Sequence, residues 1–260
     1  IFVVNATGIE KTGALVGYIK NANVNGVNLN IEVKSVQGVV KQINDTLNNA
    51  YIGSLIGEAD SSEIKQILSD LNVYANSKNV ILGGLVGLLN NNSLIDQVAY
   101  SGNIIANRAT NVGSIIGEGG NTNVTLTNAY FNGSLSATDV TNVGGIAGLF
   151  DTTQTLKYTY ANPSTFNVTG TNVGGIIGNV TTYTPVEVTE TDTFAYNYYS
   201  QAMGLNVKQG VGVANGTNYL SFNDLYYLDR AEMKNSLELK TESTYKTWNF
   251  DTIWAIDYES

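Results

Sequence analysis

Few residues in this chain are equipped for bond chemistry. It has no His and no Cys, which removes the commonest general base, the triad base and the thiolate nucleophile together. It also rules out a Cys-ligated zinc site and a disulfide framework. Acid–base work would fall to the carboxylates Asp45, Glu58, Asp60, Glu63, Asp70, Asp96, Glu118, Asp139 and Asp151. Hydrolysis of glycosides needs two carboxyl groups held on one face. These nine do not recur at one position of the sequence pattern. Glu58 and Glu118 both follow the last glycine of a repeated box, but Leu88 and Leu149 stand at that place in other copies. Arg108 and Arg230 are the only arginines. The set implies no catalytic centre, no metal site and no cofactor.

Aromatic residues are the alternative source of chemistry, through stacking on sugar rings or on protein side chains. Tyr100, Tyr130 and Tyr160 recur near 30-residue intervals. They read either as a structural ladder or as rings offered to a glycan or protein partner. Trp248, Phe250 and Trp254 cluster near the C-terminus. They read either as a hydrophobic plug on a final coil or as a platform for sugar rings. Asn90-Asn91-Asn92 reads as a turn, because Asn is a favoured turn residue.

The elements that must position these rings are repeats. Gly13-Ala14-Leu15-Val16-Gly17 recurs at Gly53–Gly57, Gly83–Gly87, Gly113–Gly117, Gly144–Gly148 and Gly174–Gly178. The first interval is the longest and implies an insertion. An Ala-Tyr box follows, as in Ile95–Gly102 and Leu126–Gly133, and a third short run closes each unit, as in Asn103–Ala106, Ser134–Ala137 and Phe166–Val168. Tyr74 and Tyr196 read as the Ala-Tyr equivalents in units with longer loops.

Each unit is three short aliphatic or β-branched runs separated by Gly, Asn, Asp and Thr, which are strand and turn signals. A single unit cannot bury its own apolar face, whereas stacked units can. The expectation is an all-β, right-handed parallel β-solenoid, or β-helix, with three-strand coils of about 30 residues. Coils would rise by about 4.8 Å each, so six to eight would make a rod of roughly 30–40 Å. The glycines are expected at corners that need positive φ or close backbone approach.

The boxes resemble the GLUG motif, a Gly-Leu-any-Gly repeat of bacterial surface proteins. Leu85-Val86-Gly87 and Ile176-Ile177-Gly178 carry the match, with the Asn-Ala-Tyr and Ser-Gly patterns that follow. The likeness covers about residues 8 to 203, and Ser243–Trp254 looks like the end of such an array. It implies large secreted adhesins associated with virulence, filamentous-haemagglutinin-like proteins, or the non-catalytic part of some immunoglobulin A proteases.

Composition agrees with an exported rod. Charged residues make up only 13% of the 260, against about 25% in an average domain, so Asn, Thr and Ser cover the surface. The net charge of -9 argues against nucleic acid and anionic membranes. The longest apolar run, Val80 to Leu89, is too short to span a bilayer. The chain begins at Ile1 and reads as part of a longer protein. Residues 1–203 are expected to form the solenoid and 204–260 a degenerate coil and cap. Leu225–Leu228 and Met233–Leu239 suggest a short helix there, and Trp248, Phe250, Ile253 and Trp254 would cover the last coil.

The function expected is a non-catalytic, secreted or cell-surface segment of a bacterial adhesin, serving as a rigid stalk or as a host-protein- or glycan-binding surface. The alternatives are a carbohydrate-active β-helix enzyme and a scaffold region of a larger secreted protease. The Thr125–Thr127 and Thr153–Thr155 fragments are too irregular for an ice-binding array.

Overall fold

The computed structural model describes residues 11–25, 49–120, 122–183, 189–206, 209–218 and 230–257. Asp45 and the segment Leu225–Leu228 lie outside the described residues. The chain winds as a parallel β-solenoid of about 5 turns of about 31 residues each.

Three sheets run the length of the stack. Sheet A holds Ala50–Gly53, Val80–Gly83, Asn111–Gly113, Ser134–Gly144 and Thr165–Gly174, together with Val73–Asn76 and Asn103–Asn107. Sheet B holds Ile56–Asp60, Val86–Asn90, Ile116–Gly119, Ala147–Phe150 and Ile177–Val180. Sheet C holds Glu63–Ser69, Leu94–Tyr100, Thr125–Phe131 and Thr155–Ala161. Each coil passes from A through B and C and back to A. Val211–Ala214 pairs in parallel with Ile177–Val180, and Ala231–Lys234 with Asn197–Ser200, so the stack runs on through both. Thr217–Asn218 then turns back antiparallel on the sheet B edge.

The alternation of apolar and polar residues explains the core. Ile64, Ile67, Ile95, Val98, Leu126 and Leu156 point inward from sheet C and are all but fully buried. They meet Ile52, Leu82, Val112 and Val143 of sheet A and the aliphatic residues of sheet B in one continuous cluster.

The glycine boxes are the corners between sheets A and B, and positive φ plays no part in them. Among the described glycines only Gly204 and Gly216 have positive φ. Space decides instead. A Cβ on Gly83 would run into the carbonyl of Val86, and one on Gly87 would lie 2.5 Å from both the Gly57 oxygen and the Ile52 nitrogen.

Left-handed backbone falls to other residues. Gln66, Gln97, Asn128, Tyr158 and Tyr196 have φ of 57°, 56°, 50°, 57° and 58°, and they stack as a column across successive sheet C rungs. The pairing skips this position: Asp96 pairs with Thr127 and Val98 with Ala129. Each such residue interrupts the alternation, so two neighbouring side chains, such as Asp96 and Gln97, both face outward.

The C-terminal segment departs from two expectations. Met233–Leu239 forms no α-helix, only the start of a 3-10 turn at Glu238. Its first part continues sheet C in Ala231–Lys234, and Asn235 then accepts from the backbone N–H groups of Leu237 and Glu238, both at 3.0 Å, to turn the chain. Two short 3-10 turns follow, at Glu238–Lys240 and Glu242–Thr244. Nor do the tryptophans plug the end of the stack. The segment runs back along the outer face of sheet C, from Tyr196 and Tyr198 to Tyr130 and Asn128.

Candidate functional site

The outer face of sheet C carries two adjacent columns. One is the left-handed column. The other, two residues further along each strand, is Leu68, Ala99, Tyr130, Tyr160 and Tyr198, which are register partners in sequence. Outward tyrosines stack at the C-terminal end: Tyr130 on Tyr160 with centroids 5.1 Å apart, and Tyr158 on Tyr196 at 5.9 Å.

The C-terminal segment brings its own rings onto these. Tyr245 meets Tyr198 edge-on at 5.2 Å and Tyr160 at 6.1 Å. Trp248 packs on Tyr245 at 4.8 Å, and its indole N–H donates to the Tyr196 carbonyl at 3.1 Å. Trp254 lies 4.3 Å from Trp248, and its Nε1 donates to Asn128 Oδ1 at 3.2 Å. Asn128 Nδ2 donates in turn to Asp96 Oδ1 at 2.7 Å, where the Thr127 hydroxyl also donates at 2.8 Å.

A cleft of about 300 Å³ remains between the segment and the sheet. Tyr130, Tyr160, Phe250 and Trp254 supply its aromatic walls, and Asn162, Lys240 and Asp257 its polar groups. Burial pushes the hydroxyls of Tyr130, Tyr160, Tyr198 and Tyr245 above the ordinary tyrosine value. They stay protonated at neutral pH, and the Tyr245 hydroxyl donates to the Leu239 carbonyl at 2.7 Å. Apolar ring faces beside amides and hydroxyls suit a ligand that has both C–H faces and hydroxyls, or an aromatic peptide side chain.

The structure thus gathers Tyr130, Tyr160, Trp248 and Trp254 at one place. Trp248 is only 8% exposed, so it supports the cleft floor more than it lines an opening. Tyr100 does not join them. It points into the core with no exposure, stacks on Phe131 at 5.9 Å and donates its hydroxyl to the Leu71 carbonyl at 2.7 Å. Tyr74 also falls elsewhere, on a sheet A strand beside Ile105. Sequence reasoning passed over Tyr245 and the column Gln66, Gln97 and Asn128. The 31-residue spacing of those three polar residues was the available signal.

The carboxylates are dispersed. Glu58 pairs with Lys11 at 2.7 Å, Asp60 with Lys20 at 3.3 Å and Glu63 with Lys65 at 2.9 Å. Glu118 accepts from Asn111 at 2.8 Å, at the end of an amide ladder through Asn142 and Asn172. Burial raises its pKa against that hydrogen bond. Among the described residues, no three acidic side chains form a metal-binding group. Thr125 and Thr155 are register partners, but Thr127 faces Lys157, so the threonines make no flat array.

Fold and cleft together define a parallel β-solenoid with an aromatic groove on one face. Comparison with protein-family models, with curated proteins and with solved structures gives no match.

Proposed function

We propose that this chain is a non-catalytic β-solenoid segment of a bacterial surface adhesin, a rigid stalk that also presents a recognition surface to a host-surface protein or glycan. The observation that carries this reading is the aromatic cleft, built where the C-terminal segment crosses Tyr130 and Tyr160. Rings with polar neighbours in an open cleft suit a ligand that has both apolar and polar faces. The resemblance of the boxes to the GLUG repeat supports an exported surface protein. The absence of Cys and His from the sequence and the scattered carboxylates support binding over catalysis. No helix among the described residues is long and apolar enough to cross a membrane.

The test is binding of the chain to a panel of glycans and host matrix proteins, with Tyr160→Ala and Trp254→Ala alongside. Expected is a specific hit that weakens at least tenfold, about 1.4 kcal/mol, in variants that keep the wild-type circular dichroism spectrum. Wild-type protein that binds nothing on the panel would sink the recognition half of the reading. Release of new reducing ends from any bound polysaccharide would overturn the non-catalytic half.

A further inference from the structure

Beyond Trp254 the groove continues. A second cavity of about 320 Å³ lies on the same sheet C face, lined by Gln66, Leu68, Gln97, Ala99, Tyr130 and Trp254 among others. Tyr130 and Trp254 line both cavities, so the two are lobes of one groove divided by these rings. The C-terminal segment fills part of the first lobe. Only Ile253 and Trp254 of that segment reach the second.

The second lobe has a distinct composition. Its apolar floor is Leu68, which is 56% exposed, with Ala99 beside it. Its polar side is the left-handed column, where Gln66, Gln97 and Asn128 present amides one per coil. Because these residues occupy the interrupted position, their side chains face outward next to an outward neighbour instead of turning into the core. Asp96 and Lys65 are register partners beside this column, and Asp96 already accepts from Asn128, Thr127 and Gln97. No cation lines this lobe among the described residues.

We infer that the two lobes form one extended subsite array for a neutral, linear polysaccharide lying along the solenoid axis, with a pyranose stacked at Trp254 and further units held by the Gln97 and Gln66 amides. Three observations select this ligand class. The rungs repeat at about 4.8 Å, close to the length of one pyranose unit in an extended glycan, so successive units each lie beside an amide. Amides donate and accept at once, which matches hydroxyls and not a one-signed ion. The chain's net charge of -9 disfavours an anionic polymer. Leu68 and Ala99 offer an apolar floor to the C–H face of the sugar. This inference rests on the cleft being a recognition surface, and it adds the ligand class, its direction and its second set of contacts.

The test is calorimetric titration with a neutral cello-oligosaccharide series from disaccharide to hexasaccharide, using wild type and a Gln66→Gly, Gln97→Gly double variant. Glycine keeps the left-handed backbone accessible, so the variant removes the amides and spares the fold. Expected is an affinity gain of about tenfold across the series for wild type. The double variant should lose that gain while still binding the disaccharide. Equal affinity for short and long ligands, or a double variant that matches wild type along the series, would overturn the array and leave recognition at the aromatic lobe standing. Binding of no member would overturn both for this ligand class.

Discussion

Asn128 and Trp254 lie 126 positions apart and meet through one hydrogen bond, indole N–H to side-chain carbonyl at 3.2 Å. Asn128 sits in a left-handed kink of a solenoid rung, and Trp254 is in the segment that follows the last rung. The bond therefore pins the end of the described chain to the middle of the stack, and the side chain that receives it is held on its other side by Asp96.

This contact sets the first prediction. Trp254→Phe keeps an aromatic ring but removes the donor and part of the packing on Trp248, and should cost at least about 1 kcal/mol in urea unfolding. Asn128→Gly, which keeps the left-handed backbone accessible, should instead shift the tryptophan emission to the red, because Trp254 loses its tether while the solenoid stays folded. Both tryptophans of the chain are in the cleft, so emission reports this region alone. An unchanged spectrum in the folded Asn128→Gly protein would contradict the tether.

The corners give the second prediction. Gly83 has no room for a Cβ because the Val86 carbonyl occupies it, and that oxygen belongs to the backbone and cannot swing away. Gly83→Ala should destabilise by about 3 kcal/mol, as overpacking does. Gly216 has nothing within 4 Å of a Cβ but a φ of 73°. Gly216→Ala should cost only the left-handed penalty of about 1–2 kcal/mol. Thermal unfolding of the two variants side by side ranks them, and a reversed order would refute the steric account.

Alkaline pH gives the third. The folded-state pKa values of Tyr130, Tyr160, Tyr198 and Tyr245 lie above the ordinary tyrosine value, chiefly because burial disfavours the phenolate. The unfolded value is about 10. Folding thus favours the protonated form, a contribution present in full below about pH 10 and lost as pH rises beyond it. The urea midpoint should stay level from neutral pH until then and fall above it. The fall should coincide with tyrosinate absorbance and be shallower in Tyr160→Phe. A midpoint level throughout would contradict the buried hydroxyls.

Much of this architecture is legible from the residues. The boxes ending at Gly57, Gly87, Gly117, Gly148 and Gly178 mark one corner per coil, and the structure places them there. Parity within sheet C was harder to see. Tyr100 and Tyr130 stand equally far from the preceding box, yet Tyr100 pairs with Phe131, and Tyr130 pairs with Ala99. Leu94 follows Gly87 by seven positions and Thr125 follows Gly117 by eight. That one extra residue before the strand slips it by one position and exchanges its faces. The ladder expected as one column is two: Tyr100 over Phe131 inside the core, and Tyr130, Tyr160 and Tyr198 outside.

The path of the C-terminal segment was not legible either. Trp248, Phe250 and Trp254 announce burial, but a ring in a sequence does not say which surface it covers. They cover the outward tyrosine column, where Tyr130 faces out through that slip and Tyr160 because it stands twelve, not thirteen, positions past its box. The left-handed column also escaped notice, because Gln and Tyr are not residues that advertise positive φ.

Gly83 and Gly113 are register partners in adjacent coils, and this has a consequence for heredity. A chain leaving either glycine meets the same corner, so an in-frame copy or deletion of one whole coil joins ends that already match. Any other length leaves a seam. The reach of such a molecule is a counted quantity, and it can be lengthened or shortened between generations by recombination alone, without a single new residue having to be invented.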